Sequence, residues 1–388
     1  MTADLTLLAE RRAGLAGLLG LLLLEEPGPQ LTDLVATVPS LAALASSDPV
    51  IDSDYERIFL RGVPVYESVF RNDDGQHGGD TLADVVGRYK RVGYNEHTEQ
   101  RWRIAGADHL GLELRCYAHL CHNEAAAWRG DIPDKAVEAV ETERAFLADH
   151  LAAWAQIALA ALAPIAVGSP YEKVVSAVGD FLHEEVERLR PAPLLGQEIE
   201  VDPLPANFGP FRLARLILSP ATAGTWLQST VIAHAAERIG SPWRPSDNRS
   251  ALRHVIETAQ DSGDLAFILQ PVLMAIRAAD AEHAERCTAN PGNEANWRVW
   301  RARTSAMSVF LEQIIAANRL GTATAVVTEY VAVSGADAAL LADAVDAAVA
   351  ELRKQGFEVD RAPDGIDVTA WPAFATNEGI PPPRPAPT

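Results

Sequence analysis

The sequence is poor in cysteine and in basic side chains. Its 388 residues include 3 cysteines, too few for a disulfide framework, which fits a reducing compartment. It has 33 Lys and Arg residues against 53 Asp and Glu residues, a formal net charge of −20. Residues 1–200 carry 17 basic and 32 acidic side chains, so most of the excess, −15, lies there. This balance argues against nucleic acids and anionic membranes as partners, whereas a basic peptide, or high solubility alone, would suit it.

No apolar run near the N-terminus is long enough to cross a bilayer. Ala13–Leu24 follows the twin arginine Arg11-Arg12 and is closed by Glu25-Glu26-Pro27, whereas a span needs about 20 residues. A cleavable signal would have a small-residue site soon after the run, but the nearest Ala-x-Ala is Ala43-Leu44-Ala45. The leucines recur at helical spacing, so we predict a buried first helix over Leu5–Leu24. We therefore expect no targeting segment, no membrane insertion and a cytoplasmic protein.

Motifs of common enzyme classes are also missing. The sequence has no G-x-S-x-G, no Walker A motif, and no G-x-G-x-x-G that opens a helix after a strand. Its carboxylates are numerous, but a run such as Glu184, Glu185 and Glu187 is typical of a solvated helix face. The absence of these motifs argues against an enzyme without excluding one, and we expect no cofactor.

One short stretch has metal-binding residue types. Cys116, His119 and His122 follow one another at helical spacing and share one face of a predicted helix. A structural zinc site needs four ligands, usually from two separate segments, and no second Cys/His pair is present. We predict no metal site, and keep a helical metal- or redox-binding protein as the alternative function.

Helix start and stop signals dominate the chain up to residue 192. Proline follows N-cap residues at Asp48-Pro49 and Ser169-Pro170, and Gly93 closes a helix that begins near Thr81. Two longer patterns cover about Ala107–Trp128 and Asp134–Leu162. We therefore predict an all-α fold, with a helical bundle over residues 1–192.

The second half begins after a proline-rich segment. Residues 193–210 are predicted as a linker, 211–320 as a mostly helical region, and 373–388 as a disordered tail. Between the last two, residues 321–372 are predicted as a small βαββ-like element. Its parts are a β-branched strand at Thr322–Val333, a helix at Ala336–Lys354, and a hairpin of Phe357–Arg361 with Ile366–Ala370 around Pro363-Asp364-Gly365.

Two stretches outside these motifs combine aromatic, acidic and imidazole groups. Tyr66 and Glu67 follow Pro64 in a predicted loop, where a binding role and a simple core anchor are both open. Further on, Asp108 can cap a helix, and His109 and Glu113 share one face at i, i+4 spacing. A capped helix start with a satisfied histidine explains this second stretch equally well.

Taken in order, these stretches resemble the TorD/DmsD/NarJ family of chaperones for molybdenum-containing oxidoreductases. The resemblance covers about residues 5–190 and includes a Leu-rich first helix from Arg11 to Glu26-Pro27. The matching motifs are Tyr55-x-Arg57-x-Phe59, Pro64-x-Tyr66-Glu67-Ser68, Asp108-His109-Leu110-x-x-Glu113-Leu114 and Phe146-Leu147-x-x-His150-Leu151-x-x-Trp154. At the position of the family's proline before Asp-His stands Ala107.

The resemblance implies a non-catalytic chaperone for a molybdopterin-containing oxidoreductase. Such a protein binds the apo-subunit, in many cases through its twin-arginine leader, until the cofactor is inserted. We expect Tyr66, Glu67, Asp108, His109 and Glu113 to line or support the binding groove, with Glu67 and Asp108 meeting the leader's arginines. We also expect His109 to titrate near neutral pH.

The sequence leaves two other partners possible, a folded subunit and a second copy of the chain. Some relatives bind a folded subunit and no leader, which would make the chain an assembly factor. Helical bundles with long linkers can exchange elements between two copies, so a homodimer is one candidate assembly.

Overall fold

The structure is a computed structural model and consists mainly of helices. It describes residues 2–35, 38–45, 49–95, 102, 104–191, 210–238, 240, 248–262, 265–289, 291–334, 350, 353, 358–362 and 365–370. The chain forms two compact units. The first comprises Met1–Ile199, Ser219–Ala221 and His283–Trp300, and the second comprises Glu200–Leu218, Thr222–Glu282 and Arg301–Thr388. The all-α fold class predicted from the sequence is confirmed.

Helices α1 to α9 precede residue 190. They are α1 (Thr2–Leu24), α2 (Pro29–Val35), α3 (Pro49–Tyr55), α4 (Glu67–Arg71), α5 (Gly79–Arg91), α6 (Leu110–Arg129), α7 (Pro133–Phe146), α8 (Ala155–Ala166) and α9 (Glu172–Leu189). A 3-10 segment covers Pro39–Ala45, and π-helical turns cover Glu56–Leu60 and Leu147–Leu151. The first helix is confirmed, but it is buried along one face and at its C-terminal end only, with Leu8 and Leu15 exposed.

Helix α1 packs along α6 at a close approach that glycine makes possible. A Cβ atom on Gly20 would lie 2.6 Å from the carbonyl oxygen of Gly111, and a Cβ on Gly111 would lie 2.8 Å from that of Gly20. Larger residues would therefore push the two helices apart. Because Gly111 belongs to the first turn of α6, this contact also positions the start of that helix.

The long helix predicted over Asp134–Leu162 is broken in the structure. It continues as α7 to Phe146, widens into the π-helical turn Leu147–Leu151, and resumes as α8, with a bend of 55° between the two parts. A π-helical turn adds a residue to the helical repeat, which redirects the side chains that follow. The periodicity of the apolar residues does not show this insertion.

The second unit has its own hydrophobic core. Three helices belong to it entirely: α10 (Pro210–Leu218), α12 (Ser229–Arg238) and α13 (Asn248–Ser262). It also contains most of α14 (Leu265–Ala289) and the larger part of α15 (Glu294–Ser334). The short α11 (Pro220–Ala223) is divided between the two units. Buried Leu, Ile, Val and Ala side chains of these helices form one cluster with Met307 and Phe310. This core explains the apolar face of the helices described in this part of the chain.

The βαββ-like element is corrected by the structure. The strand predicted at Thr322–Val333 is wrong, because these residues continue α15 to Ser334. Extending an existing helix avoids the nucleation barrier, and this context outweighs the β propensity of valine and threonine. The hairpin is present, with β1 (Glu358–Ala362) antiparallel to β2 (Gly365–Ala370).

The other C-terminal predictions concern residues of which little or nothing is described. Of the helix at Ala336–Lys354, only residues 350 and 353 fall within the described part of the chain. The linker at 193–210, except Pro210, and the tail at 373–388 lie outside the described residues.

Candidate functional site

The loop before α4 and the start of α6 lie side by side in the first unit. Tyr66 and His109 form an isolated antiparallel bridge. Next to it, the backbone N–H of Glu67 donates to the carbonyl oxygen of Asp108 at 2.9 Å, and that of Leu110 donates to Val65 at 2.9 Å. The two stretches that the sequence singles out, about 40 residues apart, are thereby joined by backbone hydrogen bonds.

Asp108 is the anchor of this arrangement. Its carboxylate is completely buried and accepts hydrogen bonds from the backbone N–H of Ser68, at 3.0 Å, and from the Ser68 hydroxyl. Its other oxygen lies 3.1 Å from Nε2 of His77. The Ser68 hydroxyl also accepts from the N–H of Gly78 at 3.0 Å. One buried carboxylate therefore holds the start of α4 and the end of the loop before α5.

His109, not Asp108, caps α6. Its Nδ1 accepts a hydrogen bond from the N–H of Gly111 at 3.1 Å, which satisfies one of the free donors of the first turn. Burial lowers the pKa of His109 to about 3. The imidazole is neutral at physiological pH, so the expectation that it titrates near neutral pH is wrong.

Glu67 lies at the centre of a second buried group. One carboxylate oxygen pairs with Nη1 of Arg71, and the other lies 3.0 Å from Nδ1 of His150. Arg71 also donates to the carbonyl oxygen of Asp149 at 3.0 Å. The π-helical turn therefore brings an imidazole to this carboxylate and a carbonyl acceptor to its partner Arg71.

Glu113 completes the same group as a neutral acid. It is fully buried, and its Oε2 accepts from Nε1 of Trp154 at 3.2 Å. Burial raises the pKa of Glu113 well above its usual range, and the charges of Glu67 and Asp108 and a hydrogen bond with Glu67 raise it further. Burial and these neighbouring carboxylates therefore favour the neutral form of Glu113.

The structure corrects the predicted role of two of these acids. Glu67 and Asp108 are completely buried and already bonded, so neither is placed to meet an arginine from outside. Tyr66 alone of the five predicted residues is partly exposed. Its ring packs edge-on against His77 and His109, with centroid distances of 4.7 and 5.1 Å, and its hydroxyl accepts from the N–H of Ala105 at 2.8 Å. The four buried residues hold the tyrosine and its loop in place.

Sequence reasoning missed several partners of these residues. Ser68, Arg71, His77, His150 and Trp154 were not among the candidates, although they supply most of the bonds. His150 and Trp154 carried a signal, since they belong to the fourth motif of the resemblance. His77 carried none, because only the folded loop brings it to Asp108.

The twin arginine has a structural role. Nη1 of Arg12 lies 2.8 Å from Glu143 and 3.3 Å from Glu185, and its Nη2 pairs with Glu124. Arg188 joins the cluster, with bonds of 2.7 Å to Glu143 and 2.6 Å to Glu185. These residues link α1, α6, α7 and α9 in the interior, whereas Arg11 is exposed.

The Cys116–His122 stretch does not form a metal site. Cys116 is fully buried, while His122 is exposed. Nε2 of His119 lies 3.0 Å from the carbonyl oxygen of Val92. Among the described residues, no group of three or more His, Cys, Asp or Glu side chains is arranged to hold a metal ion.

Part of the first unit matches a known protein family. Residues 29–159 match the family model described as the nitrate reductase delta subunit. This match supports a family of molybdoenzyme maturation chaperones for this part of the chain. The nitrate reductase delta domain contains all five predicted site residues, and the resemblance found in the sequence is confirmed. No curated protein and no solved structure matches the chain.

The described helices differ from membrane spans in length and hydrophobicity. No single helix in the described part of the chain is long and apolar enough to cross a bilayer. Pro133–Leu151 and Ala155–Ala166 reach the required length and composition only when taken together, across their 55° bend. Many of their apolar side chains, such as Leu147, Ile157 and Leu162, are buried in the first unit.

Proposed function

We propose that this chain is a cytoplasmic chaperone that binds the apo form of a molybdopterin-containing oxidoreductase subunit through the subunit's basic leader. The observation that carries the proposal is the Tyr66–His109 bridge, which places the family's motif residues in one buried network beneath a partly exposed tyrosine. The chaperone would hold its client until the cofactor is inserted. It would catalyse no reaction itself.

Surface charge supports a basic ligand at this position. The segment after Tyr66 exposes three carboxylates, on Asp73, Asp80 and Asp84, and residues 1–200 have a net charge of −15. Long-range attraction of this kind speeds association with a basic peptide and weakens as salt is added. We infer that these exposed acids, rather than Glu67 or Asp108, attract the arginines of a leader.

The buried network then acts on binding through the shape of the loop. Asp108 fixes Ser68, His77 and, through Ser68, Gly78, so the surface next to Tyr66 is already ordered before a ligand arrives. A preorganised surface loses less conformational entropy on binding. The five predicted residues therefore remain our candidates for client binding, with Tyr66 at the surface and the other four as support.

Binding of a labelled twin-arginine leader peptide to the full-length protein tests this proposal. We expect Tyr66→Ala and the double variant Asp80→Asn/Asp84→Asn each to weaken binding at least fivefold at low salt. Glu141→Gln is a matched control, because Glu141 is an exposed carboxylate on α7 that pairs only locally with Arg144. Unchanged affinity in both test variants, with circular dichroism confirming the fold, would overturn the proposal.

A second candidate is an assembly factor that binds the mature subunit. Affinity purification from the native host, followed by mass spectrometry, separates the two. Recovery of an oxidoreductase subunit that retains its leader supports the first candidate. A subunit without a leader supports the second. Sedimentation of the purified protein tests the proposed homodimer, and limited proteolysis tests the proposed domain boundaries at residues 192 and 210.

A further inference from the structure

A groove lies at the other end of α5 and α6 from the Tyr66 site. It has a volume of about 570 Å³ and lies among the end of α5, the second half of α6 and the start of α7. Its apolar lining includes Leu120, Ala127, Ile132 and Ala139, and two cations, Arg91 and Lys135, lie at its sides. This volume is within the range of pockets that bind small ligands or a few side chains.

The groove is separate from the site described above. Helix α5 begins beside the Tyr66 loop and ends at Arg91, 13 residues along, which corresponds to about 18 Å of helix. Helix α6 begins at Leu110, next to the His109 cap, and first lines the groove at Leu120, about 15 Å along the helix. A ligand in the groove would therefore leave Tyr66 accessible.

The charge of the groove contrasts with that of the domain. Arg91 is 59% exposed, and its ion-pair partner Asp84 lies 3.9 Å away. Lys135 is exposed and forms no ion pair within the described part of the chain. Glu138 is the one acid among the described lining residues, while Asp131, in the turn before α7, and Asp134, in the first turn of α7, lie outside the lining. Two cations beside an apolar surface are unusual in a region with a net charge of −15.

Apolar surface is also exposed here. Ile132 lies in the turn before α7. It is 43% exposed, although isoleucine is normally buried in folded proteins. The small residues Ala127 and Ala139 leave room beside it for another side chain. The groove thus offers burial to an apolar group and ion pairing to an acid beside that group.

We propose that this groove binds an acidic peptide segment of a protein partner, in which a branched or aromatic apolar side chain lies next to carboxylates. The apolar side chain packs between Ile132 and Ala139, and the carboxylates pair with Arg91 and Lys135. The strongly negative domain repels such a segment elsewhere, so these two cations decide where it binds. This surface takes a ligand of opposite charge to the basic leader, and the two surfaces share one contact, the ion pair of Arg91 with Asp84.

Fluorescence anisotropy with the full-length protein tests the groove. The probes are an eight-residue peptide of alternating glutamate and leucine and its lysine–leucine counterpart. We expect Arg91→Gln/Lys135→Gln to weaken binding of the acidic peptide at least tenfold. Ala139→Phe, which fills the groove without changing charge, should weaken it at least fivefold. Arg253→Gln is the control for charge, since Arg253 is an exposed helical cation in the second unit, and it should change the affinity less than twofold.

The results of this experiment can be told apart from those of the leader-binding experiment, because each set of variants should affect only one of the two peptides. The groove variants should not reduce the affinity for the leader peptide, and Tyr66→Ala should not reduce the affinity for the acidic peptide. If the double variant and Ala139→Phe bind the acidic peptide as well as the wild type does, the proposed site is wrong. Equal affinity for both peptides in the wild type would show that charge does not select the ligand, and would also overturn the proposal.

Discussion

Replacing Arg12 with methionine should destabilise the first unit far more than the same change at Arg11. The two arginines are adjacent in the sequence and equivalent in composition, but only Arg12 enters the interior. Its guanidinium group pairs with Glu124, Glu143 and Glu185, whose side chains are 8%, 0% and 5% exposed. Methionine keeps a similar length and removes the charge.

The expected loss follows from what methionine leaves behind. Removing one partner of a buried ion pair typically costs about 3–5 kcal/mol, because the remaining charge is buried without compensation. Arg188 still pairs with Glu143 and Glu185, so we expect about 3 kcal/mol in the free energy of unfolding. A surface substitution such as Arg11→Met usually changes this free energy by about 0.5 kcal/mol or less.

Urea denaturation of both variants at pH 8 and pH 5 measures this difference. At pH 5 the carboxylates near Arg12 can take up protons, and the deficit of Arg12→Met should become smaller. Equal stability of the Arg11 and Arg12 variants would refute the structural role of Arg12. A deficit that stays the same at both pH values would refute its electrostatic origin. Dependence of secretion on both arginines equally would instead point to an export signal.

Three further predictions concern other buried groups. In urea denaturation, Glu113→Gln should lower the free energy of unfolding by less than about 1 kcal/mol, because burial favours the neutral form of Glu113. Glu67→Gln should lower it by about 3 kcal/mol, because Arg71 loses its buried partner. Similar losses in the two variants would contradict a neutral Glu113. Burial raises the pKa of Glu143 to about 7, so its contribution to stability is present at low pH and is lost as the pH rises toward 7, by up to about 1.4 kcal/mol per pH unit. Thermal unfolding from pH 5 to 8 should show this slope, and Glu143→Gln should flatten it; an equal slope in both proteins would rule Glu143 out. The ring resonances of His109 should not shift between pH 5 and 8 in NMR spectra, because its pKa is about 3; a midpoint in that range would contradict its burial.

The helices could be predicted because they depend on local signals, and the five candidate site residues were proposed from local motifs as well. Leucine spacing gave α1, and the cap and glycine signals gave the approximate limits of α5 and α9. The site residues followed from two short motifs and their resemblance to a family, which the match over residues 29–159 confirms. The strand at Thr322–Val333 was predicted wrongly because local propensity was followed where the preceding helix decided the outcome.

The sequence by itself determined that this chain is helical, acidic and equipped with the motifs of a chaperone family. Only the tertiary structure decided which of its charges are available to a partner. Glu67 and Asp108 are hidden from a partner because both are completely buried, and His150 and His77, from distant parts of the chain, lie against them. Arg12 is an interior cation because α6, α7 and α9 each bring a carboxylate to it. Burial and pairing depend on residues that are distant in sequence, and no local pattern records them.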